Sequence, residues 1–263
     1  MTDTQQIELV RALRDRFESD AILGARELPI KLEAGKSEAS KPAAALPPFV
    51  ATQDVTAEEA ESRRISLQVI DDNEVKGCTK CGLHSTRTKT VFGVGNPTAR
   101  IMFIGEGPGQ DEDTSGIPFV GRAGQLLTAM IEKGMGLKRD DVYIANVVKC
   151  RPPGNRNPAT DEIAACKDYL LRQIEIIRPQ VIIALGAPAA QTLLNTREGI
   201  GRLRSRWHDF YPSGTDMIGE PIPVMPTYHP AYLLRDPTEK GKAWADLKMV
   251  MARLGIPLPP GVS

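Results

Sequence analysis

The side chains with a chemistry of their own are few in this sequence: four cysteines and three histidines among 263 residues. The cysteines fall as Cys78-x2-Cys81, then 68 residues, then Cys150-x15-Cys166. A C-x2-C pair brings two thiolates to one centre within a single turn of chain, which favours a shared four-thiolate metal site over two disulfides or four unrelated buried thiols. Zinc and iron-sulfur clusters both accept such ligands. A pair spread as widely as Cys150 and Cys166 suits the footprint of a cluster better than a zinc ribbon, whose second pair is normally another close C-x2-C. Either centre would clasp the segment before the first strand to the loop and helix after the second. Glu106 stands in Gly105-Glu-Gly-Pro-Gly109, a tight turn directly after the apolar run Ile101 to Ile104. A carboxylate among glycines leaves room for a substrate to approach it and the neighbouring backbone amides. The acidic run Asp111-Glu-Asp113 could suggest magnesium, but no phosphate-cradling Gly-Lys-Ser/Thr and no second acidic motif accompany it.

Elements that would position these residues can be read from hydrophobic patterning. Strand-length apolar runs cover 101–104, 142–148, 181–185 and 222–227, and helical periodicity covers 123–133, 160–177, 187–195 and 241–254. The alternation predicts an α/β fold: one three-layer α/β/α domain around a central, mainly parallel four-stranded sheet. Glu106, Asn146, Gly186 and His229 then fall at the carboxyl ends of successive strands. Parallel strands would bring all four to one rim, where ligands bind in open α/β sheets.

The remaining composition bounds the class of protein. A 41% hydrophobic and 25% charged chain is ordinary for a globular protein, and no run reaches the roughly 18 to 20 apolar residues that cross a bilayer. The start lacks a secretory pattern, so a cytoplasmic, membrane-free monomer is expected. Net charge is zero, yet residues 1–75 hold 9 Lys+Arg against 15 Asp+Glu and the remainder 24 against 18. An acidic leader on a basic body suggests a polyanionic partner for the body. Residues 1–75 read as an extension, with a short amphipathic helix over 5–17, a Pro/Ala-rich linker over 36–48 and another helical stretch over 57–75. Residues 76–254 read as the domain and 255–263 as a tail.

Five segments together resemble one known family. Gly105-Glu-Gly-Pro-Gly109, Pro118-Phe-Val-Gly121, Asn146-Val-Val-Lys-Cys-Arg-Pro-Pro-Gly-Asn-Arg156, Leu185-Gly-Ala187 and His229-Pro-Ala-Tyr-Leu-Leu-Arg235 are similar to the motifs of the family 4, iron-sulfur uracil-DNA glycosylases. The resemblance covers about residues 76 to 254 and leaves the leader, and any protein partner of it, unexplained. It implies a base-excision repair enzyme that hydrolyses the N-glycosidic bond of uracil in single- or double-stranded DNA. It also implies a [4Fe-4S] cluster on Cys78, Cys81, Cys150 and Cys166, with structural zinc the alternative.

Roles follow for individual positions. A base must be flipped out of the stack to be reached, and Phe119 would then stack on it, Asn146 read its edge, and His229 face the O2 on which negative charge develops. Gly107 occupies the place where better-known uracil glycosylases carry an Asp, which leaves Glu106 as the carboxylate that would support a cationic sugar. By the same resemblance, Glu112 would abut uracil C5 and exclude thymine. Lys149, Arg151, Arg156 and Arg235 would meet DNA phosphates, and Leu233 would wedge into the gap left by the flipped base. A non-catalytic iron-sulfur DNA-binding or redox-sensing protein on the same fold is the alternative function. A variant that traps DNA covalently through a histidine after the second strand is disfavoured, because 149–158 contains none.

Overall fold

Continuous apolar runs without polar alternation are the pattern of strands covered on both faces. In the computed structural model, which describes residues 55–212 and 220–259, Ile101–Gly105 and Val181–Leu185 are such strands, buried at every position. In chain order the strands are β1 (Val94–Gly95), β2 (Ile101–Gly105), β3 (Tyr143–Asn146), β4 (Val181–Leu185), β5 (His208–Phe210) and β6 (Ile222–Thr227). The helices are α1 (Ala57–Ile70), α2 (Gln110–Ser115), α3 (Arg122–Ala129), α4 (Thr160–Ile177), α5 (Ala187–Leu194), α6 (Ile200–Leu203), α7 (Pro230–Arg235) and α8 (Lys240–Leu254). The strands form one six-stranded sheet in the order β1-β3-β2-β4-β6-β5. Its centre is the expected parallel set β3, β2, β4 and β6. The antiparallel edges β1 and β5 were not expected; at two and three residues they are too short to carry a readable period.

Side chains of a strand alternate between faces, and the two cores follow from that. Met102, Ile104, Ile182 and Val224 pack under α4 and α1, against Leu170, Ile174, Leu67 and Ile70. Ile101, Phe103, Ile183 and Met225 face the opposite layer, with Leu127 of α3 and Leu247 and Val250 of α8. The result is the expected three-layer arrangement. Register then sets the rim: Gly105 lies beside Asn146, and Leu185 beside Thr227. Every segment leaving a carboxyl end of the parallel strands therefore emerges along one edge.

The helix expected over 5–17 and the linker over 36–48 lie outside the described residues. α1 is capped by Thr56, whose side chain accepts from the Glu59 amide at 3.1 Å, and Arg63 donates to the Ile177 carbonyl at the end of α4 at 2.8 Å. Val75 is fully buried. The boundary expected between residues 75 and 76 thus falls within a packed segment, because α1 covers apolar surface of α4 that would otherwise meet water. No helix among the described residues is long and apolar enough to cross a membrane.

Candidate active site

Two glycines let the rim close around a cleft. A methyl group at Gly105 would overlap Asn146 Oδ1 and stand 2.6 Å from Phe119 Cζ, and one at Gly124 would overlap the Phe119 carbonyl. Phe119 has φ of 53°, a left-handed conformation that a bulky residue keeps only where its surroundings impose it. These constraints aim its ring at His229, with centroids 5.6 Å apart and planes tilted by 34°. Both rings line a cleft of about 800 Å³ that also includes Glu106, Gly107, Glu112 and Asn146 in its walls, within the ordinary range for a small-molecule pocket.

Each polar group in the cleft has a distinct electrostatic condition. Asn146 is 1% exposed, and its Oδ1 is buried without a hydrogen-bond partner among the described residues. Such an orphan is destabilising unless a ligand completes it. His229 caps α7 and accepts the Ala231 amide on Nδ1 at 3.1 Å. Its ring proton is then on Nε2. Burial, reinforced by the Arg235 cation, pushes His229 down to about 4, so it is neutral at physiological pH. Burial raises the Glu106 carboxyl above the ordinary glutamate range, with no neighbouring charge to oppose it.

Two carboxylates of the acidic run after the turn do separate jobs. Glu112 accepts the Gly109 amide at 3.0 Å on one oxygen, and the Val120 and Gly121 amides at 2.9 and 3.0 Å on the other. It pins the turn after β2 to the loop carrying Phe119. Asp113 is buried and accepts the Thr88 amide at 2.9 Å. No group of three or more His, Cys, Asp or Glu side chains among the described residues is arranged to hold a single metal ion.

Two of the residues expected to meet DNA are placed otherwise. Lys149 is 1% exposed and donates to the Asn146 carbonyl and Gln173 rather than facing solvent. Leu233 is also 1% exposed, because α7 turns its fourth residue beyond the cap into the core; the half-exposed neighbours are Tyr232 and Leu234. Arg156 remains at the surface but is committed to a bidentate pair with Glu162, at 2.8 and 2.6 Å, which also braces the start of α4. Arg151 bonds Gln110 and Asn155, the second of which lines the cleft. Arg235 is exposed on the cleft wall.

Cys78, Cys81, Cys150 and Cys166 carry no disulfide, and all four line one small cavity beneath the loop that follows β3. Arg87 donates to Cys150 Sγ at 3.3 Å and to the Cys78 carbonyl at 2.7 Å, and the Lys149 amide donates to Cys166 Sγ at 3.2 Å. Burial pushes the Cys166 thiol up to about 11 and raises Cys150 as well. Thiolates there need positive charge beside them.

Sequence reading missed two features of the site. Tyr228 and Tyr232 form a tilted pair on the cleft wall, centroids 4.9 Å apart, and their spacing of four around the His-Pro pair was the available signal. Asp246, fully buried in α8, accepts from Thr227 at 2.7 Å and from Arg204 at 2.8 Å, and Arg204 lies 5.2 Å over the Tyr228 ring. Nothing in the periodicity of α8 distinguishes that carboxylate from a solvated one.

Comparison with known proteins agrees with this geometry. Residues 92–248 match the model of the uracil DNA glycosylase superfamily. The chain is 44% identical over 190 residues to a type-4 uracil-DNA glycosylase of Archaeoglobus fulgidus, covering 70% of this chain and 92% of that one. It is 49% identical over 179 residues to the type-4 enzyme of Thermotoga maritima, covering 66% and 86%. A third, from Saccharolobus solfataricus, is 47% identical over 193 residues, covering 72% and 87%. A superfamily match over more than half of the chain, with relatives of this similarity spanning most of their own length, means that the chain belongs to the uracil-DNA glycosylase superfamily, among its type-4 members.

Proposed function

We propose that this protein removes uracil from DNA by hydrolysing its N-glycosidic bond, leaving an abasic site. The observation that carries the reading is the buried, unpartnered Oδ1 of Asn146, a residue lining the same cleft as Phe119 and a neutral His229. Uracil flipped into that cleft offers N3–H to Oδ1 and O4 to the amide nitrogen; cytosine presents an acceptor and a donor there instead and mismatches both. Phe119 stacks on the base, an interaction worth roughly 1 to 3 kcal/mol, which offsets part of the few kcal/mol spent on flipping.

Bond cleavage moves an electron pair from the glycosidic bond into the pyrimidine, so negative charge gathers on O2. The Nε2–H of neutral His229 is the donor preorganised for it. The sugar becomes oxocarbenium-like, and the Glu106 carboxylate supports that cation while a water adds to C1′. Gly107, the next residue, packs against the loop after β3: a methyl there would stand 2.8 Å from Val148 Cγ2. Glu112 supports the same pocket indirectly, by holding its two loops, and its carboxylate on the cleft wall is in position to crowd a C5 methyl. Arg235 and Arg151 are the DNA-facing cations, with Tyr232 and Leu234 the apolar residues nearest the strand.

The four cysteines fit a [4Fe-4S] cluster: unpaired thiols around one cavity, with the Arg87 cation on Cys150 and the Lys149 main-chain amide on Cys166. Bound there, the cluster would tie the segment before β1 to the loop after β3 and contribute structure rather than chemistry at the base. Iron with acid-labile sulfide and broad visible absorption is expected; stoichiometric zinc in anaerobically purified protein would replace the cluster by a structural ion. For the activity, a uracil-containing oligonucleotide is incubated with the protein and abasic sites are cleaved with alkali. Strand scission at uracil supports the reading, and its absence with single- and double-stranded substrate sinks it.

A further inference from the structure

Lys149 is a buried cation that the catalytic reading does not use. Its Nζ donates to the Asn146 carbonyl at 2.8 Å and to Gln173 Oε1 at 2.6 Å, both neutral acceptors. Gln173 is itself fully buried and tied to the Phe92 carbonyl at 3.0 Å and Tyr143 Oη at 3.3 Å. The Lys149 main chain is fixed as firmly: its amide donates to Cys166 Sγ at 3.2 Å and its carbonyl accepts from Val91 at 2.8 Å. An ammonium buried among neutral oxygens is costly, and a leucine-sized side chain would fill the same space without that penalty.

We propose that Lys149 is a positioning residue coupling the four-cysteine centre to base recognition: Cys166 fixes its backbone, and its ammonium fixes the end of β3 from which the Asn146 side chain reaches the cleft. The inference rests on Asn146 reading uracil, as argued above. β3 ends at Asn146, the last residue paired with β2; beyond it the Val147 and Val148 amides donate to the Gly105 and Glu106 carbonyls at 2.9 and 3.1 Å, and the Lys149 ammonium adds the side-chain tie on the Asn146 carbonyl itself. A displacement of even part of an ångström there moves the amide relative to Phe119 and His229, and recognition of a small planar base tolerates little of that. Cys166 and the carboxylate of Asp71 are the anionic groups that act on this ammonium in the core.

The test uses the full-length, cluster-loaded protein and the variants Lys149→Met and Gln173→Met. Four quantities are read: iron content with visible absorption, inhibition by free uracil, the single-turnover excision rate, and affinity for a duplex bearing an abasic-site analogue. Lys149→Met is expected to keep iron and abasic-duplex affinity while free uracil binds about 10-fold more weakly or worse, a change of about 1.4 kcal/mol, with excision falling alongside. Gln173→Met should show a smaller loss in the same direction, and the double variant should be no worse than Lys149→Met alone, because both act through one network. Wild-type uracil affinity in iron-loaded Lys149→Met overturns the coupling. If that variant loses iron or fails to fold, Gln173→Met decides: unchanged uracil affinity with iron intact overturns it. Absence of excision by the unaltered protein overturns the underlying reading, and the coupling with it.

Discussion

At the scale of single residues, the cleft separates two titratable groups by environment. His229 is pushed down to about 4 by burial and Arg235, so it stays a neutral donor across the range in which most enzymes work. Glu106 is raised by burial, and only its ionised form supports a cationic sugar. The sign follows: as pH falls through that raised pKa, Glu106 takes up a proton and the excision rate drops, on a limb above the ordinary glutamate value. A single-turnover pH profile should show this limb, and Glu106→Gln should flatten it to a lower, pH-independent rate. A limb that persists in Glu106→Gln would assign it elsewhere. His229→Ala removes the donor to O2 and is expected to slow excision by about 10² to 10³, with affinity for an uncleavable uracil duplex little changed. A comparable loss in that affinity would instead make His229 a binding group.

At the scale of elements, the pocket is held by clamps between loops. Glu112 receives three backbone amides from two segments, and charge-assisted hydrogen bonds of this kind are worth roughly 1.5 to 3 kcal/mol each. Glu112→Gln turns one acceptor oxygen into a donor facing amides that also donate. A loss of about 2 kcal/mol in unfolding free energy is expected from denaturant titration, together with a larger fall in excision than in abasic-duplex affinity. α1 is a second such case. Because it buries Leu67 and Ile70 and holds the end of α4, a protein beginning at residue 76 should unfold at lower temperature than one beginning at residue 55. Equal melting temperatures would show that α1 adds nothing to the domain.

At the scale of the molecule, the domain is a sheet with a parallel centre whose one rim gathers the groups the proposed chemistry uses, while the four cysteines line one cavity with Lys149 from the loop after β3. None of the groups that the proposed chemistry uses lies in residues 1–54. Protein lacking residues 1–54 is therefore expected to keep its excision rate and its iron, and a loss of excision in soluble, iron-loaded truncated protein would give the leader a role at the site. DNA affinity carried by Arg235 and Arg151 should weaken as salt rises, equally for uracil-containing and uracil-free strands. A salt dependence confined to uracil-containing DNA would move the electrostatic contact into the base pocket.

The order of strands and helices, the parallel centre of the sheet and the gathering of Glu106, Asn146 and His229 on one rim were legible in the sequence, because hydrophobic period and glycine punctuation are local signals and strand direction follows from the alternation of elements. So were the four cysteines as one set. The tertiary structure alone decided which way the intervening side chains point. Lys149 and Leu233 read as surface residues in a basic loop and a short motif, yet both lie in the core, since that depends on which face of the strand end or helix meets the neighbouring layer. The clamp made by Glu112, the buried Asp246 and the edge strands β1 and β5 were equally invisible, because each exists through partners distant in sequence or through too few residues to leave a period.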